Sequence, residues 1–157
     1  MALVPANPSA LVVEARRSPS GAALFERLER LGEDPNFSFV GLAVDRGGVC
    51  EPVYVHTKVA IIDDVWATIG SSNIWNRSFF GDTELNASFW HAETARRFRV
   101  DLLSAYHGED LSSGSMADAI DSLAMRAEEN RGRRDAGEPI QGHLVGLDAA
   151  AWGTESE

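Results

Sequence analysis

The chain has 157 residues, of which 44% are hydrophobic and 24% are charged, so its length and composition fit one globular domain and exclude a second domain of similar size. The net charge of −10 argues against a non-specific nucleic-acid binder, because the basic residues form no long stripe beyond short clusters such as Arg96, Arg97 and Arg99. No window approaches the roughly 18 consecutive apolar residues of a membrane span, and prolines at positions 5 and 8 argue against a signal peptide. We therefore expect a protein that is cytoplasmic or bound at the membrane periphery.

The first predicted elements are a strand and a helix. The short apolar run at residues 11–15 favours a strand. Ser18 and Pro19 suit the N-cap and the first position of a helix that extends to about Leu31. Gly32 stands where a C′ glycine would end that helix.

The middle of the chain is rich in predicted strands. They cover residues 37–44, 53–62, 65–69 and 83–90, with a turn at 45–48 and a short helical turn within 73–80. Residues 91–107 then form a helix, and its buried face is expected to hold Ala95, Phe98, Leu102 and Ala105. We expect His91 and His107, at the two ends of this helix, at the surface or as caps.

The composition changes after Gly108 to a linker and then to acidic, partly helical sequence. A helix is predicted from about Met116 to Asn130, with Ser115 and Asp118 able to cap it reciprocally. Residues 131–140 are polar and are predicted to be irregular, while 141–152 offer an edge that docks on the preceding part.

These elements predict an α/β fold, a mixed β-sheet flanked by helices. We assign residues 1–108 to this domain and 109–157 to an acidic helical tail that either packs on it or is partly disordered. The tail holds 11 acidic and four basic residues, so it carries most of the negative charge.

Residues 56–73 fit the pattern HxKxxxxDxxxxxxGSxN at all six fixed positions: His56, Lys58, Asp63, Gly70, Ser71 and Asn73. Side chains two apart in a strand share a face, so His56 and Lys58 are predicted to point the same way. A two-residue hairpin with Asp63 and Asp64 at its tip would place Ser71 opposite His56 and Ile69 opposite Lys58.

This pattern suits chemistry at a phosphodiester. An imidazole such as that of His56 can attack phosphorus and form a phosphohistidine, and Lys58, the sole lysine, can stabilise the charge that develops. Asn73, with Ser71 or Ser72, can donate hydrogen bonds to the phosphate oxygens, and Gly70 allows close approach of the backbone.

That chemistry also requires a carboxylate to orient the imidazole and a second acid to protonate the leaving group. Glu84, on the next predicted strand, is the candidate carboxylate to orient His56. The leaving group needs a proton from a second acid, which the chain does not obviously supply. The spacing of His56, Asp63, Asp64 and His91 matches no common ligand pattern, so we predict neither a metal nor a cofactor.

The segment from about residue 50 to 90 resembles the phospholipase D superfamily. The resemblance rests on the six-position motif within residues 50–78, on Asn76-Arg77-Ser78 after it, and on Glu84, 28 residues past His56. It implies that two such motifs meet across a pseudo-twofold axis, one histidine acting as nucleophile and the other as general acid, without an obligatory metal.

The resemblance also implies a role for each motif residue. His56 would be the nucleophile or the acid, Lys58 and Asn73 would bind phosphate with help from Ser71, and Glu84 would orient His56. Asp63 belongs to the motif and, near the turn, is expected to fix the structure. Residues 127–145 faintly resemble the end of two-motif phospholipases, so the chain looks like a carboxy-terminal half.

The expected function is therefore a phosphodiesterase that hydrolyses or transfers the head group of a phospholipid, or acts on another phosphodiester. The second half would come from a homodimer, a partner chain or a missing N-terminal segment. A dimeric single-motif endonuclease and a catalytically silent phosphate-binding module are the alternatives. Trp75, just after the motif, either packs in the core or lines an entrance for an acyl chain or head group.

Overall fold

The computed structural model describes residues 1–74 and 76–154, and these form an α/β fold, as predicted. Their helices are α1 (Ala10–Arg17), α2 (Pro19–Gly32), α3 (Asn76–Phe80), α4 (Ala92–His107) and α5 (Met116–Asp135). Their strands are β1 (Ala2–Leu3), β2 (Phe39–Arg46), β3 (Val49–Val53), β4 (Lys58–Ile62), β5 (Trp66–Gly70), β6 (Asn86–Trp90) and β7 (Leu144–Gly146). Within these described ranges, no helix has the length and apolar character needed to cross a membrane.

The strands divide between two sheets instead of forming one. In the first sheet β2 pairs in parallel with β1 and antiparallel with β3 and β7, so this sheet is mixed. The second sheet is antiparallel, in the order β4-β5-β6. The chain crosses from one sheet to the other between β3 and β4.

The predicted strand at 11–15 is wrong, because these residues belong to helix α1. A short apolar run fits either element, and here the contact of α1 with α2 decides between them. The start of α2 is as predicted: the Gly21 amide donates to the Ser18 hydroxyl at 3.0 Å, and Pro19 follows. Gly32 is the last helical residue and not C′, since Glu33 at the C-cap keeps a right-handed conformation.

The predicted continuous strand at 53–62 is interrupted at residues 54–57, because β3 pairs with β2 whereas β4 pairs with β5. The hairpin register also differs by one residue: Lys58 lies opposite Gly70, not opposite Ile69. Val65 stays in the turn, where its amide donates to the Ile62 carbonyl at 3.0 Å, and this extra residue shifts the pairing.

The tail shares its core with the preceding part of the chain. The Ser115–Asp118 capping box is present as predicted, but α5 continues to Asp135, so the irregular region begins later than expected. The predicted docking edge includes β7, which pairs with β2. The main cluster of buried apolar side chains takes members from both parts: Val40, Leu42, Leu103, Leu111, Ala119, Leu123, Ala127 and Leu144.

Helix α4 buries a different face from the predicted one. The buried residues recur every four positions, at Ala95, Arg99, Leu103 and His107. The Arg99 guanidinium has no solvent exposure and binds Asp64 through two hydrogen bonds, Nε to Oδ1 at 2.6 Å and Nη2 to Oδ2 at 2.8 Å. This ion pair joins the β4–β5 turn to α4.

His107 is buried and not at the surface, which corrects the expectation for this residue. Its Nε2 atom lies 3.0 Å from the Ser122 hydroxyl on α5, and its Nδ1 atom has no hydrogen-bond partner among the described residues. Burial, with the nearby charge of Arg126, lowers the pKa of His107. His91, in contrast, is the predicted cap: its Nδ1 atom accepts from the Thr94 amide.

The Asp64–Arg99 ion pair predicts a large difference between two adjacent aspartates. Asp64→Asn leaves a buried guanidinium without its counter-charge and should lower the free energy of unfolding by about 3 kcal/mol. Asp63→Asn is the matched control, because Asp63 has nearly the same backbone conformation (φ 54°, against 55° for Asp64) but is exposed, and it should cost less than about 0.5 kcal/mol. Urea unfolding of the two variants measures this, and equal losses would contradict it.

The buried imidazole predicts a pH dependence of stability. Since the pKa of His107 is lowered on folding, the unfolded chain binds a proton that the folded chain does not, and the free energy of unfolding should fall as pH decreases below about 6.5. One such group contributes at most about 1.4 kcal/mol per pH unit. His107→Gln should remove this component from unfolding measured between about pH 7.5 and 5.5, whereas identical slopes would show that His107 is not its source.

Candidate active site

The predicted site residues gather at one end of the β4-β5-β6 sheet. Lys58 begins β4, Gly70 ends β5 and Asn86 begins β6, and the register pairs Lys58 with Gly70 and Gly70 with Asn86. These residues form one row across the three strands. Because directly paired residues point to the same face of a sheet, the side chains of Lys58 and Asn86 share a face.

A hydrogen-bond network fixes the segment after β5 to the segment before β6. The Ser71 hydroxyl donates to Oε2 of Glu84 and accepts from the Leu85 amide at 3.0 Å. The Ser71 amide donates in turn to the Leu85 carbonyl at 3.1 Å. Ser71 and Glu84 are therefore brought together as neighbours in one site.

Gly70 permits the close approach of these two segments. A Cβ atom at this position would lie 2.0 Å from Oδ1 of Asn86 and 2.4 Å from the Leu85 carbonyl oxygen. The Ser72 amide donates to the same Oδ1 atom of Asn86 at 3.2 Å. A larger residue at position 70 would force β5 and β6 apart at the site.

His56 lies at the edge of this group, between β3 and β4. Its ring is exposed and stacks on Tyr54, with the centroids 6.0 Å apart and the planes at 18°. Its main-chain oxygen accepts from Nζ of Lys58 at 2.9 Å, which keeps the ammonium close to the His56 backbone. Within residues 1–74 and 76–154 the imidazole makes no hydrogen bond, so the predicted bond to Glu84 is not formed in this structure.

The electrostatics of the site centre on Glu84 and Lys58. Hydrogen bonds from the side chains of Ser71 and Ser78 hold the pKa of the Glu84 carboxyl below its ordinary value, and the charge of Lys58 lowers it further. Glu84 is therefore ionised at neutral pH. The site combines one carboxylate, one ammonium and one imidazole at an open sheet end.

The remaining predicted residues lie at different distances from this row. Ser72 is half-buried beside Asn86, and Asn73 is exposed with no hydrogen bond found among the described residues. Asp63 follows the opposite end of β4. The rise per residue of an extended strand puts it about 17 Å from Lys58. Asp64, not Asp63, makes the ion pair at the turn.

The sequence analysis assigned no role to two residues of the site. Asn86 had a signal, because it lies two positions after Glu84 in a predicted strand and so was expected on the same face. Ser78, which is buried on α3 and whose side chain lowers the pKa of Glu84, belongs to the Asn76-Arg77-Ser78 run of the resemblance, but its spacing gave no indication of a link to Glu84. Trp75, a candidate entrance residue, lies outside the described residues. In the described part of the chain, no group of three or more His, Cys, Asp or Glu side chains is arranged to hold a metal ion.

Chemically, this arrangement can bind a phosphate group. The ammonium of Lys58 has three donors and uses one of them on the His56 carbonyl, which leaves two for an anion. The side-chain amide of Asn73 lies on the segment that follows the Lys58 row and can add donors, whereas the single hydroxyl proton of Ser71 is already donated to Glu84. An imidazole beside such a site is a nucleophile or a proton carrier.

Comparison with known proteins finds similarity over the segment that contains these residues. Residues 40–105 match a family described as the phospholipase D-like domain of cardiolipin synthase. Over 65 residues the chain is 34% identical to cardiolipin synthase of Geobacillus sp. (strain WCH70), an alignment that covers 41% of this chain and 12% of that protein. The predicted resemblance to the phospholipase D superfamily is therefore confirmed for residues 40–105, which hold all the predicted site residues.

Proposed function

We propose that this chain is one half of a phospholipase D-type phosphodiesterase, which hydrolyses or transfers the head group of a phospholipid when a second histidine is supplied. The observation that carries the proposal is the row of Lys58, Gly70 and Asn86, with the Ser71–Glu84 pair beside it and a single imidazole at its edge. The match to a phospholipase D-like domain supports the phospholipid as substrate class.

In the proposed reaction His56 attacks the phosphorus of the phosphodiester. A phosphorus–nitrogen bond forms and the bond to the leaving oxygen breaks, while a second histidine gives its proton to the leaving alkoxide. Water or an alcohol then gives its proton to the second histidine and attacks the phosphohistidine, which breaks the phosphorus–nitrogen bond, releases the phosphoryl product and restores the free imidazole. Lys58 stabilises the charge on the phosphoryl oxygens, a contribution of about 3 kcal/mol for one well-placed donor.

Glu84 is proposed as the carboxylate that orients His56 in the assembled site. Its lowered pKa keeps it charged, and Ser71 occupies Oε2, so that Oε1 can accept from the imidazole. Formation of that bond requires the exposed ring to move from its stacked position on Tyr54. We assign this movement to the arrival of the second half.

The source of the second half is part of the proposal. The chain spans about one eighth of the length of the cardiolipin synthase that it matches, so a longer parent protein is one source, beside a homodimer and a partner chain.

A silent phosphate-binding module is the second candidate function, and the lack of a hydrogen bond on the His56 imidazole among the described residues favours it. The net charge of −10 disfavours the endonuclease.

Replacing His56 tests the nucleophile. His56→Asn should reduce turnover of phosphatidylcholine and of a chromogenic phosphodiester by at least about 10³-fold and abolish labelled phosphoenzyme, because no other group would attack phosphorus. Thermal unfolding should be unchanged, since the ring is exposed. His143→Gln is the control and should keep full turnover, because the His143 ring contacts the Ala43 carbonyl of the first sheet and none of the proposed site residues in the described part of the chain.

The interpretation of the turnover assay depends on whether the protein is a monomer or a dimer, so its molecular mass is measured in parallel by light scattering. Wild-type turnover by His56→Asn would refute the role of His56. A monomer that turns over neither substrate would contradict the enzymatic proposal for this chain alone and leave the silent module.

Replacing Lys58 tests the stabilisation of charge. Lys58→Gln should lower kcat by about 10²- to 10³-fold, as expected for loss of one donor to a developing oxyanion, with little change in thermal unfolding. Lys58→Arg keeps the charge and should recover part of the rate. If the two variants were equally impaired in kcat, the position of the ammonium and not its charge would be the essential property.

A further inference from the structure

The side-chain amide of Asn86 has donors that the fold does not use. Its Oδ1 atom accepts from the Ser72 amide at 3.2 Å. A backbone N–H can only donate, so the atom that meets it is the oxygen, and the Nδ2 group is left at the other corner of the amide. This group carries two donors, belongs to an exposed residue and makes no hydrogen bond among the described residues. It can therefore donate to a ligand.

The Asn86 side chain extends towards Lys58. The two residues occupy the same row and face of the β4-β5-β6 sheet, and Gly70 between them has no side chain to separate them. The Asn86 amide lies against this middle strand, because its Oδ1 atom would be 2.0 Å from a Cβ atom at Gly70. Neighbouring strands are about 4.8 Å apart, so the backbones of β4 and β6 are about 10 Å apart here, and the two side chains reach into that gap from opposite sides.

The polar groups around this gap suit an anion. Lys58 has two of its three donors left after its bond to the His56 carbonyl. The Glu84 carboxylate, two residues before Asn86, is already engaged by the side chains of Ser71 and Ser78. The neutral amide of Asn86 therefore adds donors without adding a second carboxylate beside Glu84.

We propose that Asn86 is a phosphate-binding residue, whose Nδ2 group donates to one phosphoryl oxygen while Lys58 binds another across Gly70. The ligand class is a phosphate, either the free ion or an ester. The bond from the Ser72 amide holds the Asn86 side chain in place before the ligand arrives, which reduces the entropy lost on binding. This inference rests on the proposed function, because Lys58 is taken to bind the same phosphate.

The wild-type chain tests this assignment without any variant and without turnover. The side-chain NH2 signals of Asn86 in the nitrogen-15-labelled protein should shift as inorganic phosphate is added, and chloride at equal ionic strength should leave them in place. Glycerophosphocholine, a soluble phosphodiester with a lipid head group, is titrated in parallel. A shift with it alone identifies a diester as the ligand, and a shift with inorganic phosphate alone identifies the free ion. Signals that stay unchanged with both compounds through the millimolar range would overturn the assignment.

Asn86→Asp distinguishes a phosphate-binding residue from one that only braces Ser72. Aspartate keeps an oxygen for the Ser72 amide but replaces both donors by a negative charge, so phosphate affinity should fall by at least about tenfold, as for loss of a hydrogen bond to a charged group. Ser88→Asp is the matched control, because it adds the same charge to the same face of β6 about 7 Å farther along, and it should cost less than about threefold. Wild-type affinity in Asn86→Asp would show that Asn86 only braces Ser72.

Turnover of a soluble chromogenic phosphodiester separates this inference from the proposed function. Turnover that Asn86→Asp retains in full and His56→Asn loses would refute the role of Asn86 alone. Phosphate-dependent shifts of the Asn86 signals without any turnover would refute the enzymatic function and leave Asn86 as part of a phosphate-binding site.

Discussion

The ion pair between Asp64 and Arg99 is the interaction on which the position of the site depends. It links the turn of the β4–β5 hairpin to α4, beside the packing of β5 against the same helix, where Ala67 and Ala95 are fully buried. A buried guanidinium is costly to desolvate, and one of its nitrogens, Nη1, has no hydrogen-bond partner in the described part of the chain. Such a pair adds little to the net stability of the fold. Its main effect is to favour one orientation of the hairpin on α4 over other orientations.

The sheet is therefore held firmly at its turn end and remains open at its other end. At the open end Lys58 donates to the His56 carbonyl and Ser71 donates to Glu84, and both hydrogen bonds are accessible to water. Regions with exposed hydrogen bonds and few buried apolar contacts are the ones that rearrange at low cost. The stabilising ion pair of Asp64 and the proposed catalytic group of Lys58 thus lie at opposite ends of β4.

The sequence predicted which residues gather at the site better than how they are arranged there. The motif identified Ser71 and Glu84, which do meet, because the types and spacing of polar residues in strands are visible locally. The predicted register was wrong by one residue because Val65 stays in the turn, where its amide is hydrogen-bonded to the Ile62 carbonyl. Neither the periodicity nor the composition of the sequence indicates such a hydrogen bond.

Long-range partners account for the other differences. Periodicity assigns arginine and histidine to the surface of a helix, but α4 buries Arg99 because Asp64, 35 residues away, neutralises it. It buries His107 because Ser122 on α5 bonds to it. The capping signals at Ser18 and Ser115, in contrast, are satisfied within three residues, and both were predicted correctly.

The open site has a consequence for the proposed reaction. Two unit charges 4 Å apart interact by about 1 kcal/mol in water but by about 4 kcal/mol at an effective dielectric constant of 20. Lys58 and Glu84 act at present in a solvated environment, where their effect on a phosphate or an imidazole is close to the smaller value. A second half would therefore have to supply more than a second histidine. It would also have to exclude water. The incomplete site therefore requires a covering that lowers the dielectric constant around Lys58 and His56.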